Sequence, residues 1–556
     1  MESVAKALVS EFEGLRSDRA NFDSHWKEVA ERILPDYKDE FQAGGLARTR
    51  GNQRTQHMFD STAAIALGRF ASIMDSLLIP RNSKWHKLRV SNTALQKDKK
   101  VKLWFDEVTD YFFKYRYAPK ANFASQNYQI YELIGAFGNG PMFIDATVDE
   151  PGIRYKACAL PGVYFSENHQ GLVDSVFRCF TLKAMQAAKK WPETLPAKIK
   201  ELAADPNRMR TEFEFLHVVK PREDLDLSRK DFKGMNFGSY YISIDGCELL
   251  EEGGYKSFPY QIARHKQAPG ETYARSPAME VLPAIKTVNE QKKTLLKQAH
   301  RATDPILLAY DDGVASRFSM RPGAINMGGV NRDGRALIHA LPTGNVNIGM
   351  DMMESEKNDI KDVFLVTLFQ ILVDSPNMTA TEVMERVKEK GILMAPAFSR
   401  HEAEYLGPMI EREFDVLADQ GLIPPIPPVL IEAQGEYTIE YDSPFSRAQK
   451  AEEASGLMRV FDWAINIAAN TQDTSIMDHF DQDAIVPEIA SIHGLPERWI
   501  RGIDKVQEIR QQRAQAQQAQ QNAANAGNAA ALMKSMAVAK EKAPEEFDEA
   551  KAQLGA

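Results

Sequence analysis

Residues able to do chemistry are easy to find in this chain and hard to assemble into a centre. His401-Glu402 opens a pattern that binds zinc on a helix, because imidazoles four residues apart share one face and the glutamate beside them can act as a base. The position that should carry the second imidazole holds Tyr405, so the pair reads as part of a solvated helix face. Asp478, Asp481 and Asp483 could together hold Mg²⁺ for phosphodiester hydrolysis. In a chain with 77 acidic residues the plainer reading of such a trio is a solvated helix end. Gly135, Gly138 and Gly140 in GAFGNGP suggest a phosphate-cradling loop, but the spacing departs from GxGxxG and Pro141 follows at once. A tight turn or close backbone packing fits them better. GxxxxGK[ST], which would wrap the phosphates of a nucleotide, is absent, as is a GxSxG elbow, and the 11 histidines do not cluster with cysteines. No catalytic residue, metal or cofactor is implied.

Composition narrows the class further. The 556 residues are 44 % apolar and 26 % charged, the make-up of folded protein. At about 150 residues per domain, roughly three or four structural regions are expected. Cys158, Cys179 and Cys247 are too far apart for a CxxC pair or a disulfide framework, which points to a reducing compartment. Met1-Glu2 begins an amphipathic pattern, not a basic and then apolar leader, and the apolar run Phe364 to Val373 is about half of a membrane span. A net charge of −9 argues against a protein that wraps DNA by neutralising phosphates. The run Lys97, Lys99, Lys100 and Lys102 reads as the exposed start of a helix.

The elements that would position these residues are mostly helical. Val4, Leu8, Phe12 and Leu15, then Trp26, Val29 and Ile33, predict two helices joined near Ser17 to Asn21 and ended by Pro35. Further helices are expected from Phe59 to Leu78 and from Val101 to about Arg116. Between Phe143 and Tyr260, β-branched and aromatic segments bounded by turn signals predict a β-rich subdomain, interrupted by a short helix from Ala184 to Trp191. After Pro283 a stripe of Ile285, Val288, Leu295, Leu296 and Ala299 ends at Asp304-Pro305, and Ile348, Met352, Ile360, Val363, Phe364 and Leu368 restore helical spacing. Between the two lie five Gly-containing turn signals, which predict a compact β insertion. Thr379 to Gly421 reads as one long charged strut with a capping-box start at Thr379 and Glu382 and a glycine stop. Pro424 to Pro428 is a stiff boundary, a smaller helical region follows from about Ser446 to Ile509, and the Gln/Ala run after Gln511 is helix-permissive but poor in core residues. The fold class is α+β, predominantly helical.

Several of these segments carry a family likeness. Trp26 with Ile33-Leu34-Pro35, Phe59-Asp60-Ser61-Thr62, and Leu77-Leu78-Ile79-Pro80 with Trp85 are part of it. The most specific part is Thr379-Ala380-Thr381-Glu382-Val383 with Glu385-Arg386, then Pro396, Arg400, Glu404, Pro408, Glu411-Arg412 and Phe414. From about residue 10 to about residue 510 the chain resembles the head-to-tail connector (portal) proteins of T7-like short-tailed bacteriophages; the Gln/Ala tail matches only in character.

The resemblance implies a non-enzymatic ring, usually of twelve subunits, at one vertex of the capsid of the virion, assembled in the host bacterial cytoplasm. Its layout would be 1–275 wing, 276–303 first stem helix, 304–345 clip, 346–373 second stem helix, 374–378 channel loop, 379–423 long wing/crown helix, 424–510 crown, and 511–556 a tail that is a helical barrel or disordered. Asp374, Ser375, Pro376, Asn377 and Met378 would meet double-stranded DNA in the channel, with Lys286, Lys293, Lys297 and Arg301 as basic candidates on the stem. Arg317, Arg321, Arg332 and Arg335 of the clip would dock the terminase large subunit and later a tail adaptor. Major capsid, scaffolding and internal core proteins complete the implied partners, with no membrane. Two other classes stay open at this stage. A virion-associated nuclease would show metal-dependent cleavage, and an internal core or scaffold protein would not close into a ring of fixed copy number.

Overall fold

The first apolar stripe becomes α1 (Glu2–Asp18) and α2 (Ala20–Arg32). The structure, a computed structural model, describes residues 2–542 apart from 38–40, 42–54, 56–57, 82, 93–94, 149, 310–318, 320, 328, 342–345, 368–397, 433–435, 442–443, 472–474 and 493–496. At the α1–α2 junction the buried Arg19 guanidinium donates to the carbonyls of Leu160 (3.1 Å), Pro161 (2.7 Å) and Val163 (2.6 Å) and lies 3.6 Å over the Tyr164 ring. Five N–H donors in a rigid fork suit it to gathering several backbone acceptors at once. Sequence periodicity gives no hint of this, because the residue falls between two stripes.

Next come α3 (Thr62–Leu78), β1 (His86–Val90), α4 (Lys99–Arg116) and α5 (Phe123–Phe137), the last leading directly into β2 (Asn139–Ala146). The glycines of GAFGNGP stand where α5, α3 and the strand touch. Gly138 caps α5 at φ +80°, and a Cβ there would lie 2.4 Å from the Ala274 carbonyl oxygen. At Gly135 a Cβ would lie 2.5 Å from Leu67, so the segment serves close packing.

β3 (Ile153–Ala157), β4 (Val163–Glu167), β5 (Val173–Lys183), α6 (Ala184–Lys190), α7 (Ala197–Ala204), β6 (Glu212–Pro221), β7 (Phe237–Ser243), β8 (Glu248–Tyr255) and β9 (Tyr260–Arg264) follow. They form two antiparallel sheets, ordered β3-β2-β9 and β4-β5-β6-β7-β8. Alternation along the strands separates two cores on the larger sheet. On one face Ala5, Leu8 and Phe12 of α1 meet Tyr164, Phe177, Leu216, Val218 and Ile242. On the other, Ala184, Ala187 and Trp191 pack with Ile199 on Phe213, Phe215 and Leu250.

α8 (Pro277–Glu280) leads into α9 (Leu282–Thr303), which ends at Asp304. β10 (Leu307–Ala309) pairs antiparallel with β11 (Ile338–Ala340), and α10 (Val346–Val363) returns against α9. A π turn at Glu402–Leu406 then leads into α11 (Gly407–Asp419). Its stop is the expected glycine. Gly421 has φ +68°, its N–H reaches Ala418 O and Leu422 N–H reaches Leu417 O, the two bonds of a Schellman motif. The start proposed at Thr379 lies outside the described residues.

The rest of the chain forms α12 (Pro428–Glu432), β12 (Tyr437–Tyr441), α13 (Pro444–Thr471), α14 (Gln482–Ile492) and α15 (Ile503–Lys542). Two units are distinguished. Met1–Arg89, Glu107–Ile426 and Tyr437–Gln449 form the first; Val90–Asp106, Pro427–Glu436 and Lys450–Ala556 form the second. One boundary thus falls inside the proline run. Within the second unit Lys99 donates to the Ile500 carbonyl at 2.7 Å. The Gln/Ala segment is helical in α15, and every described residue from Gln511 onward is exposed. No helix of the described residues is long and apolar enough to cross a membrane.

Candidate functional site

The helical hairpin α9–α10 is held at its base by residues of the Phe59-Asp60-Ser61-Thr62 segment. Asn289 of α9 accepts from the backbone N–H groups of Phe59 (2.7 Å) and Asp60 (3.3 Å). The Asp60 carboxylate accepts from Thr62 N–H at 2.9 Å, at the start of α3, and pairs with Lys357 of α10 at 3.3 Å. Burial disfavours charge on Asp60, but the hydrogen bonds from Thr62 and the Lys357 ammonium outweigh it and hold the carboxyl below its ordinary range. One aspartate therefore serves as helix cap and stem clasp together. Beside it Ile285, Val288, Ile360 and Phe364 are buried, and the Phe364 ring meets Phe70 edge-on at 6.2 Å. Met352, placed in the stripe by its spacing, is exposed, and the neighbouring Met353 is buried in its place.

The four basic residues proposed for the stem divide. Lys286 is paired with Glu28 of α2, and Lys293 is paired with Glu290 at 3.2 Å and lies over the Phe59 ring. Lys297 and Arg301, one turn apart on α9, are exposed. Only these two stay available to a polyanion.

At the end of the hairpin, Asn331 N–H donates to the Arg335 carbonyl (2.8 Å) and Gly334 N–H to the Asn331 carbonyl (3.0 Å), with Gly334 at φ +76°. This is a tight turn with glycine in the left-handed position. It puts Arg332 and Arg335 at an exposed tip, and Arg321 is exposed as well; Arg317 lies outside the described residues. Among the described residues of the insertion, apolar side chains stand uncovered. Ile325 (87 %) and Met327 (80 %) are solvent-exposed, as is Val330, because two three-residue strands give no second layer to cover them. Asp374 to Met378, the channel-loop residues, lie outside the described residues.

The strut is corrected most. Its described portion is inserted in the first unit, not laid along a solvated face. Glu413 and Arg116 form an ion pair with both side chains fully buried: Nε to Oε1 is 2.9 Å and Nη2 to Oε2 is 2.5 Å. Tyr155 donates its hydroxyl to the same carboxylate at 2.5 Å, and the Arg116 guanidinium lies 4.7 Å from the Trp85 ring centre. Burial alone would favour loss of the Arg116 proton, but the adjacent Glu413 carboxylate overrides it and raises the pKa. Burial, and then the Arg116 charge, keep His86 neutral, so its Nε2 accepts from Arg116 Nη1 at 2.9 Å.

A turn away, Arg264 is paired with Glu404 at 2.7 Å and with Glu167, and Arg400 adds to Glu404 at 3.7 Å. Arg412 donates to Ile144 O and Asp145, each at 3.2 Å. Tyr405 donates to Asn127 at 2.9 Å, and Asn127 donates to Asp75 at 2.9 Å. His401, expected on a solvated face, is buried with its ring against Tyr131 (5.3 Å) and Tyr405 (4.8 Å). The tyrosine that removes the zinc motif is thus a core packing partner. Sequence reasoning found Arg400, Glu404 and Arg412 as motif positions but missed Arg116 and Glu413, whose 297-residue separation leaves no local signal.

Two of the three aspartates are engaged structurally. Asp481 accepts from the N–H groups of Asp483 and Ala484 at the start of α14, and Asp483 is paired with Arg510 at 2.6 Å. Among the described residues no group of three or more His, Cys, Asp or Glu is placed to hold a metal ion.

An α+β body, a helical hairpin clasped at its base, and a tip with uncovered apolar residues define a protein with surfaces made for partners. The chain belongs to the bacteriophage head to tail connecting protein family, whose model matches residues 5–500. It is 27 % identical over 521 residues to a probable portal protein of Bordetella phage BPP-1, covering 90 % of each chain. It is 24 % identical over 517 residues to a portal protein of Salmonella phage epsilon15, covering 90 % of this chain and 91 % of that one. A solved chain from the virion of a native gene transfer agent particle has 12 % identity and a TM-score of 0.36, over 75 % of this chain and 92 % of that chain.

Proposed function

We propose that the chain is one subunit of a portal ring, closed by twelve copies, at a single vertex of the virion capsid, through which double-stranded DNA enters and leaves. The family match across residues 5–500 carries this reading. A ring needs two different complementary surfaces on every subunit, and only a rotation that divides a full turn closes it. In this reading the protein is structural, without turnover of its own. Residues 1–275 form the wing, 276–303 and 346–373 the stem, 304–345 the clip, and the crown lies beyond residue 423. Assembly takes place in the host bacterial cytoplasm. Native mass measurement tests the reading: one closed oligomer of fixed copy number with a central hole is expected, and a monomer or an open series would sink it.

Asp374 to Met378 are proposed to face DNA in the channel. Deleting these five residues should leave rings intact while packaging or genome retention falls; packaging at the parental level counts against the assignment. Arg321, Arg332 and Arg335, with Arg317, are proposed to dock the terminase large subunit during filling and a tail adaptor afterwards, with Ile325 and Met327 supplying apolar contact. Changing the arginines to glutamate should abolish capture of both partners in pull-down. Retained capture would refute the docking role. Major capsid, scaffolding and internal core proteins remain the proposed neighbours.

A further inference from the structure

Two cross-strand rows of side chains meet where the two sheets face each other. In the larger sheet Arg178, His217, Tyr241 and Glu251 stand opposite one another on β5, β6, β7 and β8. In the smaller sheet Lys156, Phe143 and Tyr260 do the same on β3, β2 and β9. The rows touch through His217, whose ring centre is 5.8 Å from Phe143 and whose Nδ1 is 2.7 Å from the Tyr260 hydroxyl. Lys190, the last residue of α6, brings its ammonium to 3.6 Å from the centre of the Tyr241 ring on this same face.

The charges around this spot do not balance. Among the described residues Lys156, Arg178 and Lys190 are in no ion pair. Of the two nearby carboxylates, Asp145 is paired with Arg412 at 3.2 Å and accepts from Tyr255 at 3.4 Å, while Glu251 accepts from the neutral Trp191 indole at 2.7 Å and keeps its charge, so the three cations retain a positive surplus. Burial, followed by the charge of Arg178, keeps His217 neutral. A neutral imidazole donates through one ring nitrogen and accepts through the other, so His217 links the Tyr260 hydroxyl at Nδ1 (2.7 Å) to the Ser239 hydroxyl at Nε2 (3.0 Å). That relay neutralises no charge. Burial lowers the pKa of Lys190 to about 8, with Arg178 and Lys156 adding to it against Glu251, and lowers Lys156 with Arg178 next. The three cations are thus within electrostatic reach of one another, and Glu251 offsets only part of their repulsion.

We propose that Lys156, Arg178 and Lys190 form a binding site for a phosphate group, free or carried on a nucleic-acid backbone. Two features select phosphate over a carboxylate: the surplus of positive charge exceeds what one monoanion neutralises, and a guanidinium fork with two lysines matches three or four acceptor oxygens. Lys156 and Lys190 are exposed residues whose ammonium ends are partly desolvated, which keeps the site open to a ligand from solution. It lies on the β-rich part of the first unit, outside the stem and clip residues.

The assembled protein is titrated with inorganic phosphate against chloride at matched ionic strength, and binding is read from the ³¹P line width and from the melting temperature. Because both lysines are exposed, Lys156→Gln/Lys190→Gln keeps the fold. Loss of one charge-assisted contact weakens phosphate by roughly tenfold or more, so the double variant should lose the response altogether. A short DNA duplex is then added to the phosphate-loaded protein. Displacement of phosphate identifies the nucleic-acid backbone as the source, and phosphate held against duplex identifies free phosphate; both support the site. A response to phosphate no greater than to chloride, or an equal response in the double variant, overturns it.

Discussion

Glu413→Gln lowers the unfolding free energy of the first unit by about 3–5 kcal/mol, the cost of leaving a buried charge without its partner. Arg116 would keep its charge with both pair members at 0 % side-chain exposure, surrounded by Trp85, Phe113 and Phe123 rings that attract a cation but do not neutralise it. The Tyr155 hydroxyl would lose its carboxylate acceptor, adding to the penalty. Urea unfolding followed by tryptophan fluorescence measures the effect directly, because Trp85 lies against the guanidinium. A loss below about 1 kcal/mol, the range of an exposed pair, would mean that water reaches this site.

The same pair separates charge from shape. Arg116→Met/Glu413→Leu removes both charges at similar volume and should cost less than either single change, since neither product leaves a buried ion alone. The coupling has a structural meaning for the long helix. Glu404, Arg412 and Glu413 each bond to a partner more than a hundred residues away in sequence. Polar anchors with these geometric demands accept one position of the segment and reject a slip by a residue, which apolar packing alone tolerates better.

Much of the layout was legible because amphipathic contrast announces an element. α1, α2, α3, α4, α9 and α10 each bury one stripe, and the turn signals of the insertion do mark the tip at Asn331 to Arg335. α5 was not legible. Its residues from Leu133 to Phe137 are all buried, so no polar face sets a period, and Gly135 and Gly138 suggested a loop. The charged strut misled for the opposite reason: arginine and glutamate ordinarily mark solvent, yet Arg412 and Glu413 are buried because each finds a distant partner. Composition left the Gln/Ala tail open between helix and disorder, and α15 decides for a helix as far as Lys542. The docking arginines were placed by resemblance, and the structure adds only that Arg321, Arg332 and Arg335 are exposed, the last two at a tight turn.

Acid should destabilise the first unit steeply, and four histidines supply the slope. His86, His217, His265 and His401 all have lowered pKa values with burial as the largest cause, His265 falling to about 4 and His401 to about 3. In the unfolded chain each imidazole takes up a proton as pH falls through about 6.5, while in the fold these four stay neutral. The unfolded state then binds more protons, so this stabilisation is fully present above pH 6.5 and is lost on the way down to the folded values. Each group contributes about 1.4 kcal/mol per pH unit inside that window, on the order of 5 kcal/mol for four between pH 7 and 5.5. Asp23 and Asp75, whose pKa values burial raises, act with the opposite sign and enter only as the carboxylate range is approached. Urea unfolding at the two pH values measures the slope. His401→Phe, which keeps a ring against Tyr131 and Tyr405, should remove about one quarter of it. An unchanged slope in this variant would show that His401 is protonated inside the fold, and a flat profile in the parent would remove the buried imidazoles as the source of acid sensitivity.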